Sequence, residues 1–164
     1  MHAAEGPAWA LAIEHSAFGE AMRGGVLLYP MIETGHILGF AILVGSILVL
    51  DLRLLGVVRG MQPAQVIRVT VPIAACGLAL AALTGSCLFI TEAAAYARNP
   101  LFYLKQSLIL FGLLNIVVFH RMFMSRAALW PHDSPPPTPA RIAGGISAVT
   151  WICVLVCGRL LAYV

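Results

Sequence analysis

The sequence predicts an all-α membrane protein, a polytopic bundle of four transmembrane helices preceded by an amphipathic helix on the membrane surface. Hydrophobic residues make up 60% of the 164 positions, charged residues only 10%, and the mean hydropathy is +0.92. A soluble domain carries about 25% charged residues, so this chain is suited to lipid rather than to water. Four apolar stretches also reach the roughly 20 residues that span a hydrocarbon core about 30 Å thick.

We interpret the chain as a single membrane domain over residues 1–164. Trp9 and Ile13 lie four residues apart, with a second apolar line of Leu11, Phe18 and Met22 close beside them, and this apolar flank predicts the interfacial helix. No alternating pattern of a membrane barrel is present. The predicted segments, in chain order, are an interfacial helix at 7–23, membrane spans at about 26–50, 71–95, 101–122 and 142–164, and a proline-rich cytoplasmic loop at 125–141.

Two connections have clear turn signals. The second is the short segment from Tyr96 to Pro100, and Pro100 can open a helix at its first turn. The third runs through Trp130 to Pro139, and a stretch so rich in proline cannot continue a helix.

Basic residues set the predicted orientation. One side of the membrane receives Arg53, Arg59, Arg68, Arg121, Arg126 and Arg141, and the other receives Arg23, Arg98, Lys105 and Arg159. The positive-inside rule then places the first and third loops in the cytoplasm and both termini on the outer side of the membrane. The net charge of +3 is scattered, which argues against a nucleic-acid partner.

The four cysteines, Cys76, Cys87, Cys153 and Cys157, lie inside apolar runs. None has the paired spacing of a zinc site, so we interpret them as small apolar core residues.

Ionisable side chains inside a span cost roughly 2.5–3.5 kcal/mol at mid-depth, so each needs a reason. Glu33 and His36 are three residues apart and share one helix face. His36 lies about 15 Å into its span, at 1.5 Å per residue. One ring nitrogen could bind a metal or haem iron while a second group holds the other nitrogen. The alternative is a hydrogen bond that locks two helices together.

His120 and Lys105 are the further candidates, both on the third span. They are separated by fifteen residues, roughly 22 Å along a helix. Because the first and third spans run in the same direction, His36 and His120 are expected in opposite leaflets unless the first helix is shifted. Lys105 lies nearer the depth of His36, with the glutamates as counter-ions.

Parts of the sequence also resemble two other kinds of metal site. The Glu33-x-x-His36 step matches a di-iron bundle, but the second such pair is missing. Copper favours clustered sulfur ligands, and Cys153 and Cys157 are one turn apart, with Met122 and Met124 near the inner face.

The segment from Glu33 to Gly56, the Thr84-Gly85 pair, the Asn99-Pro-x-Phe-x-x-Lys105 motif and Asn115 resemble a family of small uncharacterised bacterial inner-membrane proteins. That resemblance covers most of residues 31–120. More distantly, an early histidine and a lysine that opens a later helix are similar to the CopD copper-resistance and HemJ-type four-helix proteins. The distant resemblance implies a haem b ligand at His36 and a required lysine at Lys105. The tryptophan and proline–arginine signature of the HemJ-type proteins is not found after His36.

The leading hypothesis is a haem-b-associated integral membrane protein in electron transfer or redox chemistry, and whether it is an enzyme is left open. Its candidate cofactor-binding residues are His36, His120, Lys105 and Glu33, with the two histidines as candidate ligands of the haem iron. One alternative is a non-catalytic accessory subunit of a larger membrane complex, or a homo-oligomer, in which Glu33, Lys105 and Arg159 pair between helices. A third is a small copper-handling or transport protein.

Overall fold

The computed structural model describes residues 6–124, 127–130 and 136–163. Over those residues the chain is helical and forms no strand. The helices are α1 (Ala8–Glu14), α2 (Ala17–Gly24), α3 (Leu28–Leu55), α4 (Pro63–Thr91), α5 (Ala93–Tyr96), α6 (Pro100–Phe123) and α7 (Thr138–Leu160), with a 3-10 turn at Ala127–Leu129. Helices α3, α4, α6 and α7 are long and apolar enough to cross a membrane. The prediction of an all-α multi-pass protein with four spans is confirmed.

The predicted interfacial helix at 7–23 is two short helices. Ser16 separates them, because its side chain accepts a hydrogen bond from the backbone of Gly19 at 3.2 Å and starts α2. Both helices are tied to the end of α4 and to α5. The carboxylate of Glu14 accepts from the backbone N–H of Ala94 at 2.9 Å, and Arg23 donates to the carbonyl of Thr91 at 3.0 Å.

The first two spans extend beyond their predicted ends at 50 and 71. Asp51 and Arg53 lie inside α3 and are buried. Helix α3 stops where Gly56 adopts a left-handed φ of 83°, and Pro63 opens α4 at a position that needs no backbone N–H. Arg53 closes the short loop by donating to the carbonyl of Met61 at 2.6 Å.

The other boundaries also shift. Helix α4 ends at Thr91, before the predicted 95, and the single turn of α5 follows it. Helix α7 begins at Thr138, inside the predicted loop at 125–141. The described part of that loop includes Trp130, which is buried against the ring of Phe123. The remaining loop residues, 125–126 and 131–135, lie outside the described residues.

The four long helices pack in the order α4, α3, α7, α6. Helices α4 and α6 have no packing seam comparable with the other three pairs. The closest seam joins α3 and α4, where a Cβ atom on Gly77 would lie 2.6 Å from the backbone nitrogen of Leu43. Small residues permit this close approach. The resulting van der Waals contacts stabilise the helix pair in lipid, where the hydrophobic effect does not drive helices together.

The cysteine interpretation holds only in part. All four are free, but Cys157 alone is buried, whereas Cys76 is exposed on the surface of the bundle. A membrane span normally presents apolar side chains to the lipid, so an apolar residue of a span need not be buried within the protein.

Candidate functional site

His36 is held by the neighbouring helix. Its Nδ1 lies 2.8 Å from the carbonyl oxygen of Ala81 and 3.3 Å from the hydroxyl of Thr84. A carbonyl only accepts, so Nδ1 carries the hydrogen, and in a neutral ring Nε2 then has the free lone pair. Gly85 makes room for the ring, since a Cβ atom there would lie 2.9 Å from Cε1 of His36.

This single bond serves both interpretations of His36. It locks α3 to α4, as a structural histidine does. It also orients the ring as second-shell carbonyls orient ligating histidines. Over the part of the chain that the structure describes, Nε2 has no hydrogen-bond partner.

We call the end of the bundle where α3 begins and α7 ends the outer end, and the opposite end the inner end. Lys105 lies with His36 toward the outer end. Its half-buried side chain interacts electrostatically with His36, and it lies beside Cys157 and Gly158 of α7. We call the polar side chains of His36, Thr84 and Lys105 the outer polar layer.

Glu33 stands apart from this layer. It is exposed and, together with Glu92, interacts electrostatically with Tyr29 and Tyr96 near the outer surface. Among the described residues Glu33 forms no ion pair with Lys105, so the expected counter-ion contact is not made. Burial first, and then the charge of Glu92, raise the pKa of Tyr96 above its ordinary value near 10.

His120 lies at the inner end of α6, near the helix terminus opposite to Lys105. It lines a cavity together with Asp51 and Thr70, whereas His36 contacts the outer half of α4. The structure therefore does not bring the two imidazoles to one site.

The cavity has a volume of about 160 Å³ and lies between α3, α4, α6 and α7 in the inner half of the bundle. Most of its lining is aliphatic. The polar side chains that line it form the inner polar layer, which consists of Ser46, Asp51, Thr70, Asn115, His120 and Ser147.

Asp51 is the residue that sequence reasoning missed. It is 2% exposed and accepts a hydrogen bond from Ser147, but its Oδ2 has no partner among the described residues. A buried carboxylate oxygen without a partner is costly and demands an explanation. The available signal was helical spacing, because Asp51 continues the buried line of Leu43, Ile47 and Leu54 on α3.

An apolar middle layer separates the two polar layers. Its centre is Trp151, which is 1% exposed and packs with Leu43, Ile47 and Val154. Gly112 of α6 lies against the indole ring, where a Cβ atom would be 3.2 Å away.

Within the described ranges, no group of three or more His, Cys, Asp or Glu side chains could hold a metal ion. Met122 and Met124 lie at the inner end of α6, whereas Cys153 and Cys157 lie in the outer half of α7. These four sulfur side chains therefore do not form one cluster among the described residues of a single chain, and copper handling stays a hypothesis.

The fold and its interior define a multi-pass membrane protein with four apolar spans and polar side chains at both ends of the bundle. The chain belongs to a family of unknown function, DUF6644, whose sequence model matches residues 9–164. No curated protein and no solved structure shows significant similarity to it.

Proposed function

We propose that this protein is a haem-b-associated component of a bacterial inner membrane that takes part in electron transfer, with Nε2 of His36 as an axial ligand. One observation carries the proposal. The carbonyl of Ala81, 2.8 Å from Nδ1, orients the imidazole and leaves Nε2 as the ligating nitrogen.

The residues around His36 fit the chemistry of a haem group. A neutral imidazole nitrogen is a common axial ligand of haem iron. The ammonium group of Lys105, within electrostatic range of His36, is a suitable partner for a propionate carboxylate. When bound, haem b would supply a one-electron carrier, and the protein would supply its orientation and a water-poor surrounding.

The test is reconstitution of the purified protein with hemin, followed by the absorption spectrum and the pyridine hemochrome. We expect a Soret band in the wild type and in His120→Ala, and its loss in His36→Gln. Glutamine retains an N–H group that can still donate to Ala81, so the helix contact is kept while the ligating nitrogen is removed. A wild type without a Soret band, or a His36→Gln variant with an unchanged one, contradicts the proposal.

A second candidate function, an accessory subunit of a larger membrane complex, is favoured by helix α6. Only Gly112 and Phe119 of this helix are buried, and it lacks a seam with α4. Its outward side chains include Leu110, Phe111, Leu114, Val117 and Val118, all of them exposed. Other subunits or a second copy of the chain would cover this face.

The contacts of Arg159 do not distinguish the candidates, because its guanidinium donates to the hydroxyl of Tyr163 and stacks on that ring. Blue-native electrophoresis of solubilised membranes tests the subunit role. A larger complex that is lost when Leu114→Arg is introduced on α6 supports it, with Leu83→Arg on the exposed face of α4 as the control. Migration as a monomer contradicts it.

We also propose periplasmic termini, on the basis of the basic residues. Cysteines can be placed at two exposed positions on opposite sides of the bundle, Met61 in the loop between α3 and α4 and Ala95 in the single turn of α5. An impermeant maleimide should label Ala95→Cys in intact spheroplasts and Met61→Cys only after permeabilisation, with the parent chain as the background. The reverse pattern would invert the orientation.

A further inference from the structure

We infer that the inner cavity is a binding site for a small organic cation, a protonated amine on an apolar body of about one ring, with Asp51 as its anionic partner. This inference is independent of the haem proposal, because the cavity lies in the inner polar layer, away from His36.

The size and lining of the cavity define the body of the ligand. An engineered apolar cavity of about 150 Å³ is known to hold a benzene molecule. The present cavity, at about 160 Å³, is walled largely by aliphatic side chains such as Leu43, Ile67 and Ile116. A calcium or magnesium ion would need about six oxygen ligands, whereas the described lining offers a single carboxylate. An apolar body of one ring fits both observations.

The hydrogen bonds of the lining residues define the head group. Ser147 donates to Asp51, Thr70 donates to the carbonyl of Val66 at 2.8 Å, and Asn115 donates to the carbonyl of Ala143 at 3.0 Å. These donors are engaged, and the two other lining donors, Ser46 and His120, make no hydrogen bond to Oδ2 of Asp51, which has no partner among the described residues. The ligand must therefore bring its own donor.

The balance of charge favours an amine over a neutral donor. Among the described residues, no lysine or arginine lines the cavity, and the ring of His120, which does line it, makes no hydrogen bond to Oδ2 of Asp51. Arg53, two residues along α3, donates to the carbonyl of Met61. A charged N–H donor to a carboxylate is roughly twice as strong as a neutral one. An ammonium group would satisfy the buried charge of Asp51 as well as its free lone pair.

The open flank of the bundle provides access from the bilayer. The cavity is lined on one side by Ile67 to Leu78 of α4 and on the other by Leu113 to His120 of α6. These two helices have no packing seam between them. An amphiphilic amine dissolved in the membrane can therefore reach Asp51 without crossing the aqueous phase.

The experiment compares benzylamine with benzyl alcohol, a neutral molecule of similar shape, on the purified full-length protein. We expect benzylamine to raise the melting temperature of the wild type in a saturable manner, and benzyl alcohol to do so far less. In Asp51→Asn, which conserves shape, benzylamine should bind at least about tenfold more weakly, because the charged partner is gone. Glu33→Gln removes an exposed carboxylate of the same helix and should bind benzylamine like the wild type.

Equal responses to the amine and the alcohol would show a plain apolar void and overturn the inference. The absence of any response to benzylamine would overturn it as well. If Asp51→Asn does not fold, the comparison of the two ligands on the wild type still decides. Retention of benzylamine binding in His36→Gln, whatever its haem content, separates this outcome from that of the haem proposal.

Discussion

Hydrogen bonds of polar side chains join neighbouring helices inside the bundle. His36 of α3 bonds to Ala81 of α4, Asn115 of α6 donates to Ala143 of α7, and Asp51 of α3 accepts from Ser147 of α7. Such bonds contribute on average about 0.6 kcal/mol each in membrane proteins. Their larger effect is orientation, because each fixes one helix against another and aims a side chain into the interior.

Tyr96, outside the spans, allows a prediction for alkaline pH. Its pKa is raised by burial and by Glu92, so the unfolded chain ionises before the folded protein does. The contribution of Tyr96 to the free energy of unfolding is therefore fully present below about pH 10 and is lost as the pH rises above that value. We expect Tyr96→Phe to lose less stability than the wild type between pH 9 and pH 11, measured by SDS-titration unfolding in bicelles. Tyr103→Phe, which leaves Tyr96 in place, should retain the wild-type loss, and an equal loss in all three proteins would contradict the prediction.

The helices depend on a close approach between α3 and α4. Gly39 and Gly77 face each other across this seam, where either added Cβ atom would lie less than 3 Å from the opposite backbone. Gly45, also on α3, has open space around it. The two kinds of glycine look alike in the sequence, and only their neighbours distinguish them.

Substitution of these glycines should therefore have opposite effects. Gly77→Ala forces a methyl group against the backbone of Leu43, 2.6 Å away, and should destabilise the bundle by about 1–3 kcal/mol through overpacking. Gly45→Ala should be neutral or stabilising by up to about 1 kcal/mol, because the added methyl group meets no neighbour and alanine loses less backbone entropy than glycine when the helix forms. SDS-titration unfolding measures both, and a Gly77→Ala variant as stable as Gly45→Ala would show that the seam is looser than described.

At the scale of the whole molecule, the interior is layered along the membrane normal. Polar groups at the outer end, around His36 and Lys105, are separated from those around Asp51 by the apolar layer centred on Trp151. A layer of this kind keeps the two candidate sites chemically independent.

Trp151 should therefore dominate the stability of the bundle. Trp151→Ala removes the largest fully buried side chain and should cost on the order of 3 kcal/mol through the cavity that it leaves. Ile152→Ala, at the next position but 49% exposed, should cost well under half as much, because lipid fills the space. Unfolding in bicelles compares the two variants, and equal costs would contradict the layered packing.

Hydropathy predicted the four spans correctly, but their ends less well. The charges of Asp51 and Arg53 predict that both lie in the loop after the first span, but both lie inside α3 and are buried. The position of His36 was predicted from spacing, and its partner Ala81 was not. A backbone carbonyl on another helix has no signature in the sequence.

The sequence by itself determined the number of spans, their helical structure and their approximate positions along the chain. The free energy of transferring a segment into lipid is a sum over the residues of that segment, so its composition suffices to predict a membrane span. Only the tertiary structure decided which faces meet, and hence that His36 bonds to Ala81 and that Asp51 lines a cavity. The physical reason is that the lipid-facing and bundle-facing sides of a span are both apolar, so the rotation of each helix is set by contacts between distant segments.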